Sequence, residues 1–485
     1  MKKRLSELAR SIDAREKPGW DGVYVSRVIA DSRLVEPGDL FVALRGVRED
    51  GHAYLEEAVA NGAVAIVTER RCGVSVPELT VPDGRSALAR LAAELHDRPT
   101  EGLFVVGVTG TNGKTTVCHL AAQVLGETET ELISTVTNES RDLPGVTTPE
   151  SPIVQTIARR AADEGKVNLV IEASSIGLSQ KRLEAIDFDI AVFTNLTRDH
   201  LDYHRDREDY LAAKLSLFQG LREGAVALIN SDDPASRRVA GSTRAKVMTY
   251  AIHGEGDLRA EDIEYSPRSS SFTLRTPVGS IRLRIPFPAE HNVSNALAAA
   301  GVGIVRGLNL EKIADALSGA GSIPGRYQLF RARSGAEVIV DFAHSPDSLE
   351  RTLIFLRANH RRVISLFGCP GESDRGKRPL MGRISGELAA ITIVTTDNPK
   401  GEDPASIADQ IEVGIRGAGG SWERILDRKD AIRRAIGLSE PGDAVLIAGK
   451  GHETYQIVGR EFVPHNDASF LIEEGLVAGP DSACG

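Results

Sequence analysis

The stretch Gly107-Val-Thr-Gly-Thr-Asn-Gly-Lys-Thr-Thr116 decides the fold of this chain, because it joins a buried-strand pattern, LFVVGVTG, to a helical one, TTVCHLAAQVLG. Glycines in such a loop let backbone N–H groups converge on phosphate oxygens, and the helix N-terminus adds positive potential. Lys114 can reach the β- and γ-phosphates of a nucleotide, and Thr115 can ligate Mg²⁺. The loop departs from the strict phosphate-loop formula at Val108, where a glycine is expected. A strand-to-helix turn with incidental glycines is the alternative, but Gly-Lys-Thr in this context favours phosphate binding.

Two further buried strands end in side chains that can bind a metal. Glu172 lies at the end of LVIEASS, and Asp199 and His200 lie at the end of FTNLTRDH. Because the carboxyl ends of parallel strands line one crevice, we expect these residues beside the phosphate loop, near the γ-phosphate. Taken singly, a strand-end acid is as often a helix cap, and a lone histidine is more often structural. Together with Lys114, they favour a metal site.

Strands and helices alternate outward from this loop along the whole chain. The strands NLVIEA, DIAVFTN and AVALIN alternate with helices such as SPIVQTIARRAADEG, which predicts a mostly parallel sheet covered on both faces. SSFTLRTPVGSIRLRIPF predicts a hairpin. The breaks at Arg98-Pro99 and Pro324-Gly325 divide the chain into three predicted α/β domains, of residues 1–98, 99–325 and 326–485. A length of 485 residues suits that number.

Composition excludes several classes of protein. With 41% hydrophobic and 26% charged residues, the chain is neither disordered nor collagen-like. A formal net charge of -10 and the lack of a dense Lys/Arg tract argue against nucleic-acid binding. The four cysteines, Cys72, Cys118, Cys369 and Cys484, form no C-x-x-C pair, so neither a zinc site nor a disulfide framework is predicted. We find no signal-peptide pattern and no run of ~18 apolar residues, and expect a cytoplasmic monomer without membrane insertion.

A series of motifs in fixed order resembles those of the Mur ligases, over essentially the whole chain. The motifs are GTNGKTT, EASS, TNLTRDHLDYH, Tyr210-Leu-Ala-Ala-Lys214, His291-Asn-Val-Ser-Asn295, Pro324-Gly-Arg326, Asp341-Phe-Ala-His344, GKRPLMG, DNPKGEDP and GKGHE. The resemblance implies three domains: an N-terminal one for a UDP-sugar, a central one with a phosphate-loop-type, mostly parallel sheet for ATP and Mg²⁺, and a Rossmann-like C-terminal one for an amino acid. It also implies the chemistry, in which ATP phosphorylates a carboxylate and an amine then displaces the phosphate.

Within the family, DSRLVEPGDLFVALRG and the TTP at 147–149 are most similar to the ligase that adds the third, usually diamino, residue to UDP-N-acetylmuramoyl-L-alanyl-D-glutamate during peptidoglycan precursor synthesis. The substrates implied are this UDP-muramoyl dipeptide and a free amino acid, which we expect to be meso-diaminopimelate.

The resemblance also implies roles for individual residues. The nucleotide would contact Gly110, Thr111, Asn112, Gly113, Lys114, Thr115, Thr116, Asn295, Arg326 and Asp341. Mg²⁺ would be held by Thr115, Glu172, His200 and Lys214, and the groups nearest the chemistry would be Lys114, Glu172, His200, Lys214 and His344. The UDP-sugar would contact Ser32, Arg33, Thr147, Thr148, Ser174, Gln180 and Arg182, and the amino acid Ser373, Asp397, Asn398, Lys400, Gly449 and Glu453. In the family the lysine at 214 is carbamylated, which gives it the anionic oxygens that an ammonium lacks.

Departures from the family cluster where substrates are bound. Ile176 and Lys181 stand where histidine is usual, and Ser373 replaces the arginine that usually grips the carboxylate of the amino acid. Arg375 is a candidate replacement. Lys400 replaces the arginine of diaminopimelate ligases; because it keeps the positive charge, an amino acid with a distal carboxylate is still favoured.

Two alternatives therefore stay open. One is a Mur-ligase paralogue that joins a different amino acid or acid acceptor, for example in specialised metabolism. The other, of a different class, is a non-catalytic nucleotide-binding regulatory protein. It is disfavoured because the chain has all of Lys114, Thr115, Glu172, His200, Lys214 and Asp341.

Overall fold

In the computed structural model, which describes residues 2–14, 20–46 and 49–478, the chain forms three main sheets in sequence order. The first has four parallel strands in the order β3-β4-β5-β6. This part comprises β1 (Lys3–Arg4), α1 (Leu5–Ser11), β2 (Tyr24–Val25), β3 (Arg27–Ile29), β4 (Asp39–Val42), α2 (Leu55–Ala60), β5 (Ala65–Thr68), β6 (Glu78–Thr80) and α3 (Gly84–Leu95).

The second sheet has nine strands in the order β15-β14-β13-β12-β11-β10-β7-β9-β8, parallel from β13 to β8. Its first elements are β7 (Phe104–Thr109), α4 (Lys114–Leu125), β8 (Thr130–Ile133), α5 (Thr135–Glu139), α6 (Ser151–Asp163), β9 (Asn168–Glu172), α7 (Ser175–Ser179), β10 (Ile190–Phe193) and α8 (Arg207–Gln219). The rest are β11 (Val226–Asn230), α9 (Ser236–Ala240), β12 (Lys246–Ala251), β13 (Leu258–Ser266), β14 (Ser269–Thr276), β15 (Gly279–Ile285), α10 (Glu290–Val305) and α11 (Leu310–Ser318).

Alternation along the buried strands divides the core of this unit between the two faces of its sheet. In β7, Val106 and Val108 join one apolar cluster with residues of α4 and α10, whereas Val105 joins a second with residues of α6 and α8. The central sheet is therefore covered on both faces, as predicted. The predicted hairpin is confirmed as the antiparallel pair β14–β15, which turns between Thr276 and Gly279.

The third sheet has seven strands in the order β20-β19-β18-β21-β17-β16-β24, parallel from β20 to β17. Its elements are β16 (Gln328–Ala332), β17 (Glu337–Asp341), α12 (Pro346–Asn359), β18 (Val363–Phe367), α13 (Lys377–Leu388), β19 (Ile391–Val394), α14 (Pro404–Gly417), β20 (Trp422–Arg424), α15 (Arg428–Gly437), β21 (Ala444–Ala448), the hairpin β22 (Tyr455–Val458) and β23 (Glu461–Pro464), α16 (Asp467–Glu473) and β24 (Val477–Ala478). The α/β class is confirmed, while the predicted boundaries at 98/99 and 325/326 fall between sheets and stay predictions.

Candidate active site

The phosphate loop connects β7 to α4 at the carboxyl end of the central sheet, and two of its glycines are sterically required. Gly113 has φ +85°, and a Cβ there would lie 2.5 Å from Oδ1 of Asn295. Gly110 has φ +149°, and its Cβ would lie 1.8 Å from Oγ1 of Thr194. A side chain at either position would force the backbone away from its neighbours, so the loop needs both glycines.

A cavity of about 580 Å³ opens above this loop and brings together most of the residues predicted to bind nucleotide and metal. Its lining includes Thr111, Asn112, Gly113, Lys114, Thr115, Thr116, Thr147, Glu172, His200, Asn295, Arg326, Asp341 and His344. These residues come from loops, helices and strand ends of the units that contain the second and third sheets, so the cavity lies between the two units.

Two lysines of the site converge on one backbone oxygen. Nζ of Lys114 donates to the carbonyl of Gly110 at 3.2 Å and to that of Thr111 at 2.9 Å, while Nζ of Lys214 donates to the carbonyl of Gly110 at 2.7 Å. Lys214 is buried and packs over the ring of Tyr210, at 4.2 Å from its centroid. Burial, followed by repulsion from Lys114, holds the pKa of Lys214 well below its ordinary value.

Oxygen ligands suited to Mg²⁺ meet at Glu172. Its carboxylate accepts hydrogen bonds from the hydroxyl of Thr115 at 3.1 Å and from the hydroxyl and amide of Thr135 at 3.0 Å. Arg326 donates to the same Thr115 hydroxyl at 2.9 Å. A buried carboxylate beside a hydroxyl fits a hard cation, although no group of three His, Cys, Asp or Glu side chains that could hold a metal occurs in the described residues.

Asp199 lies between two histidines at the rim of the cavity. Nδ1 of His344 donates to the carbonyl of Phe342 at 2.7 Å, which leaves Nε2 facing Asp199 at 3.5 Å. Burial alone would raise the pKa of Asp199, but His344 and His200 hold it well below its usual range. The protein packed around the His200 ring lowers its pKa to about 4, even though 38% of the side chain is exposed. At neutral pH an uncharged His200 can offer a nitrogen lone pair to a metal.

Asp341, predicted to contact the nucleotide, is held by two hydrogen bonds at the end of β17. Its two carboxylate oxygens accept the backbone amides of Tyr327, at 2.6 Å, and Ala343, at 2.8 Å. A nearby contact that the sequence did not predict joins the second and third units. The side-chain amide of Asn112 donates to the carboxylate of Asp347 at 2.9 Å.

The residues predicted for the UDP-sugar fall into two groups. In the unit of the second sheet, Thr148 and Ser174 share a hydrogen bond of 2.9 Å. Arg182 donates to the carbonyl of Thr148 at 2.6 Å and to Gln180 at 2.7 Å. In the unit of the first sheet, Ser32 donates to Glu57 at 2.8 Å, and the exposed Arg33 pairs with Asp31 at 2.6 Å. Arg85 of α3, which was not predicted, donates to Gln180 at 3.4 Å and so links the first unit to the second.

The residues predicted for the amino acid form a network around a lysine that was not predicted. Buried Lys450 donates to Oδ1 of Asn398 at 3.0 Å and to Oε2 of Glu453 at 2.6 Å. Asn398 also donates to Glu453, at 2.9 Å. Gly449 is required beside Asp397, since its Cβ would lie 2.7 Å from that carboxylate.

Three other residues proposed for this pocket make different contacts. Lys400 has φ +51° and bonds the β22 backbone through its amide, at 2.9 Å from the carbonyl of Ile457. Ser373 is half-buried, and the exposed Arg375 pairs with Glu402 at 3.3 Å.

Strand-end position was the signal that could have identified Thr135. Thr135 lies just after β8, and Glu172 lies at the end of β9. Because these two strands are parallel neighbours, their ends lie side by side. Asp347 carried no comparable signal, because its role depends on how distant segments meet. Lys450 lies within the GKGHE motif, from which only Gly449 and Glu453 were selected.

No helix of the described residues is long and apolar enough to cross a membrane. Within the same residues Cys72, Cys118 and Cys369 are free thiols, and Cys484 lies outside them.

Three family models match the chain in sequence order. Residues 24–96 match the Mur ligase family catalytic domain, residues 108–303 the Mur ligase middle domain, and residues 325–451 the Mur ligase glutamate ligase domain.

Curated relatives are similar over nearly the full length. A UDP-N-acetylmuramoyl-L-alanyl-D-glutamate–2,6-diaminopimelate ligase of Geobacillus thermodenitrificans is 43% identical over 449 residues, covering 90% of this chain and 92% of the relative. The ligase of the same name from Geobacter metallireducens is 40% identical, covering 94% and 95%.

Solved structures agree in fold. The structure of a ligase of that same name is 32% identical and superposes with a TM-score of 0.67, covering 96% of this chain and 98% of its own. MurF ligase from Thermotoga maritima in complex with ADP is 22% identical with a TM-score of 0.64, covering 87% and 94%, a likeness of fold alone.

Proposed function

Because the chain belongs to the Mur ligase family, we propose that it uses ATP to join an amino acid to UDP-N-acetylmuramoyl-L-alanyl-D-glutamate. The amino acid that we propose is meso-diaminopimelate. The observation that carries this function is the 40–43% identity, over at least nine-tenths of the chain, to ligases named for that reaction. The chain is thus a MurE-like enzyme of peptidoglycan precursor synthesis.

The reaction requires a carboxylate to become a better acceptor. Phosphorylation by ATP yields an acyl phosphate, and the amine then attacks its carbonyl carbon and expels phosphate. Both steps develop negative charge, so fixed cations and N–H groups are the main catalytic devices. Lys114 and the N-terminus of α4 would bind the phosphates, and Arg326, which donates to Thr115 at 2.9 Å, would lie close to them.

The residues that would bind Mg²⁺ are Thr115, Glu172, His200 and carbamylated Lys214. Mg²⁺, when bound, neutralises phosphate charge. The pairing of Thr115 with Glu172 at 3.1 Å supports this assignment for those two. His344, beside Asp199 at 3.5 Å, would lie near the phosphates, and Asn295 and Asp341 would contact the nucleoside.

Substrate recognition would follow the order of the three predicted domains. Residues 1–98, with Ser32 and Arg33, and the group around Thr148 in residues 99–325 would bind the UDP-sugar, and residues 326–485 the amino acid. We propose further that the enzyme is a cytoplasmic monomer; three free thiols suit a reducing compartment.

A paralogue with a different amino acid is the second candidate, and Ser373 is the observation that favours it. No arginine stands at that position, and Arg375 is exposed and pairs with Glu402 at 3.3 Å, so it does not supply the missing charge to the Asn398 network.

The deciding experiment incubates the purified protein with ATP, Mg²⁺, UDP-muramoyl dipeptide and a panel of amino acids, and measures phosphate release and product mass. Turnover with meso-diaminopimelate supports the first function, and turnover only with another amino acid or acceptor supports the paralogue. No phosphate release with any substrate would contradict both. Lys114→Ala should fold but release no phosphate, and Lys246→Ala, on an exposed position of β12, is the matched control.

A further inference from the structure

The side chain of Lys450 is enclosed by the protein where the chain makes a close turn after β21. Lys450 lies between Gly449 and Gly451, whose φ angles are +104° and +54°. A Cβ on Gly449 would lie 2.7 Å from Oδ2 of Asp397, and one on Gly451 would lie 2.8 Å from Cβ of Phe342. The two glycines thus let the backbone pass close to its neighbours, and the lysine between them has no solvent-exposed surface.

The ammonium group of Lys450 fixes the direction in which the Asn398 amide faces. Oδ1 of Asn398 accepts one hydrogen bond from Nζ of Lys450 and another from the backbone N–H of Ile457, both at 3.0 Å. An ammonium and a backbone N–H can only donate, so the amide atom between them must be the oxygen. The amide nitrogen is therefore turned toward Glu453, to whose Oε2 it donates at 2.9 Å.

The same ammonium holds the carboxylate of Glu453. Nζ of Lys450 donates to Oε2 of Glu453 at 2.6 Å, a charge-assisted hydrogen bond. The backbone N–H of Glu453 also donates to the carbonyl of Lys450, at 3.1 Å. Backbone and side chain of Glu453 are thus both fixed to one residue, and the bonds from Lys450 and Asn398 both go to Oε2 and not to Oε1.

Other cations of this region bind elsewhere. Arg428 pairs with Asp467 through two hydrogen bonds, at 2.8 and 2.7 Å, and Arg326 donates to the hydroxyl of Thr115 at 2.9 Å. Apart from the buried lysine, no cation of the described residues forms an ion pair with Glu453. The orientation of this carboxylate therefore depends on a single ammonium group.

Asn398 and Glu453 are residues that the proposed function assigns to the amino acid. A polar pocket binds its ligand well only when the binding groups are already held in the productive orientation by a supporting layer of contacts. Without the ammonium of Lys450, the Asn398 amide loses one of the two donors that orient it, and Glu453 loses its cation.

We propose that Lys450 is a positioning residue of the ligase, which sets the affinity for the incoming amino acid by orienting Asn398 and Glu453 without contacting the substrate itself. The inference rests on the proposed function and extends it, since it adds to the amino-acid pocket the group that holds two of its members in place.

The test measures the KM for the amino acid, for ATP and for the UDP-muramoyl dipeptide in the wild type, Lys450→Met and the control Lys429→Met. Methionine keeps most of the apolar stem and removes the charge, and Lys429 is an exposed residue of α15. Lys450→Met should raise the KM for the amino acid roughly tenfold and leave kcat and the other two KM values nearly unchanged. Lys429→Met should match the wild type, and thermal unfolding shows that each variant is folded.

A double-mutant cycle separates positioning from a general structural role. In a protein that already carries Asn398→Ala and Glu453→Gln, the groups through which Lys450 acts are absent. Adding Lys450→Met there should change kcat/KM for the amino acid by less than about twofold. Should Lys450→Met alone fail to fold, Lys450→Met combined with Glu453→Gln leaves no carboxylate unpaired, and its KM for the amino acid should exceed that of Glu453→Gln.

Three results would overturn the proposal: an unchanged KM for the amino acid in Lys450→Met, a similar rise in the KM of all three substrates, or an undiminished effect in the Asn398→Ala, Glu453→Gln background. The amino acid used is the one of the panel that the wild type joins, so the comparison does not depend on meso-diaminopimelate. Failure of the proposed function is distinct, because it is seen in the wild type, which would then join no amino acid to the UDP-muramoyl dipeptide.

Discussion

At the scale of single residues, Lys214 shows how the protein prepares a side chain for chemistry. Its ammonium is buried, lies near Lys114 and has a carbonyl oxygen as its hydrogen-bond partner, at 2.7 Å. A lysine whose pKa is lowered by these surroundings is readily uncharged, and only the uncharged amine can add to CO₂. The environment therefore favours the neutral amine that reacts with CO₂, and the carbamate so formed would supply the anionic oxygens that a metal site needs.

We predict that Lys214 carries a carbamate in the active protein. In ¹³C-bicarbonate buffer the wild type should show a carbamate carbonyl resonance by NMR, and Lys214→Ala should lose both the resonance and phosphate release. Lys166→Ala, which removes a lysine that pairs with Glu131, is the control and should keep both. A resonance that persists in Lys214→Ala would assign the carbamate to another group.

At the scale of elements, the segment between α11 and β16 decides how the third sheet meets the second. Gly325 has φ +65°, and a Cβ there would lie 2.1 Å from the backbone nitrogen of His452. Gly451 has φ +54° and a Cβ that would lie 2.9 Å from the carbonyl of Gly325. The two glycines pack backbone against backbone, which places Arg326 next to Thr115.

Gly325→Ala is expected to destabilise the protein by about 1–3 kcal/mol from backbone strain, with more from the clash with His452. Urea unfolding followed by tryptophan fluorescence measures this loss, and phosphate release should fall with it because Arg326 is displaced. Gly321→Ala, with open space around its Cβ position, is the matched control. Equal stability of the two variants would show that the close approach does not constrain the connection.

At the scale of the whole molecule, histidines enclosed by the surrounding protein make the stability depend on pH. Partial or full removal from water lowers the pKa of His119 and of His200 to about 4 and that of His452 to about 2. In the unfolded chain a histidine has a pKa of about 6.5. Between about pH 6.5 and 4 the unfolded state therefore binds more protons than the folded state, and stability falls as the pH falls. His360 opposes this, because its hydrogen bond with Glu337 raises its pKa despite burial.

The melting temperature should accordingly decrease from pH 7 to pH 5, well above the range in which most carboxylates titrate. Differential scanning calorimetry at several pH values measures it, and His119→Asn should reduce the slope, because it removes one of the groups that are neutral only when folded. A slope unchanged in His119→Asn would show that the ring is already exposed to protons in the folded protein.

The sequence by itself determined the features that depend on neighbours along the chain. The phosphate loop, the hairpin β14–β15 and the alternation of strands and helices follow from residue spacing and from the positive φ that glycine can adopt in a turn. Tertiary structure alone decided which side chains meet. The strand order β10-β7-β9-β8 places β8 beside β9. Thr135, which follows β8, therefore meets Glu172 at the end of β9. The contact of Asn112 with Asp347 arises in the same way, since it joins two units with separate sheets, and no local pattern encodes the distance between them.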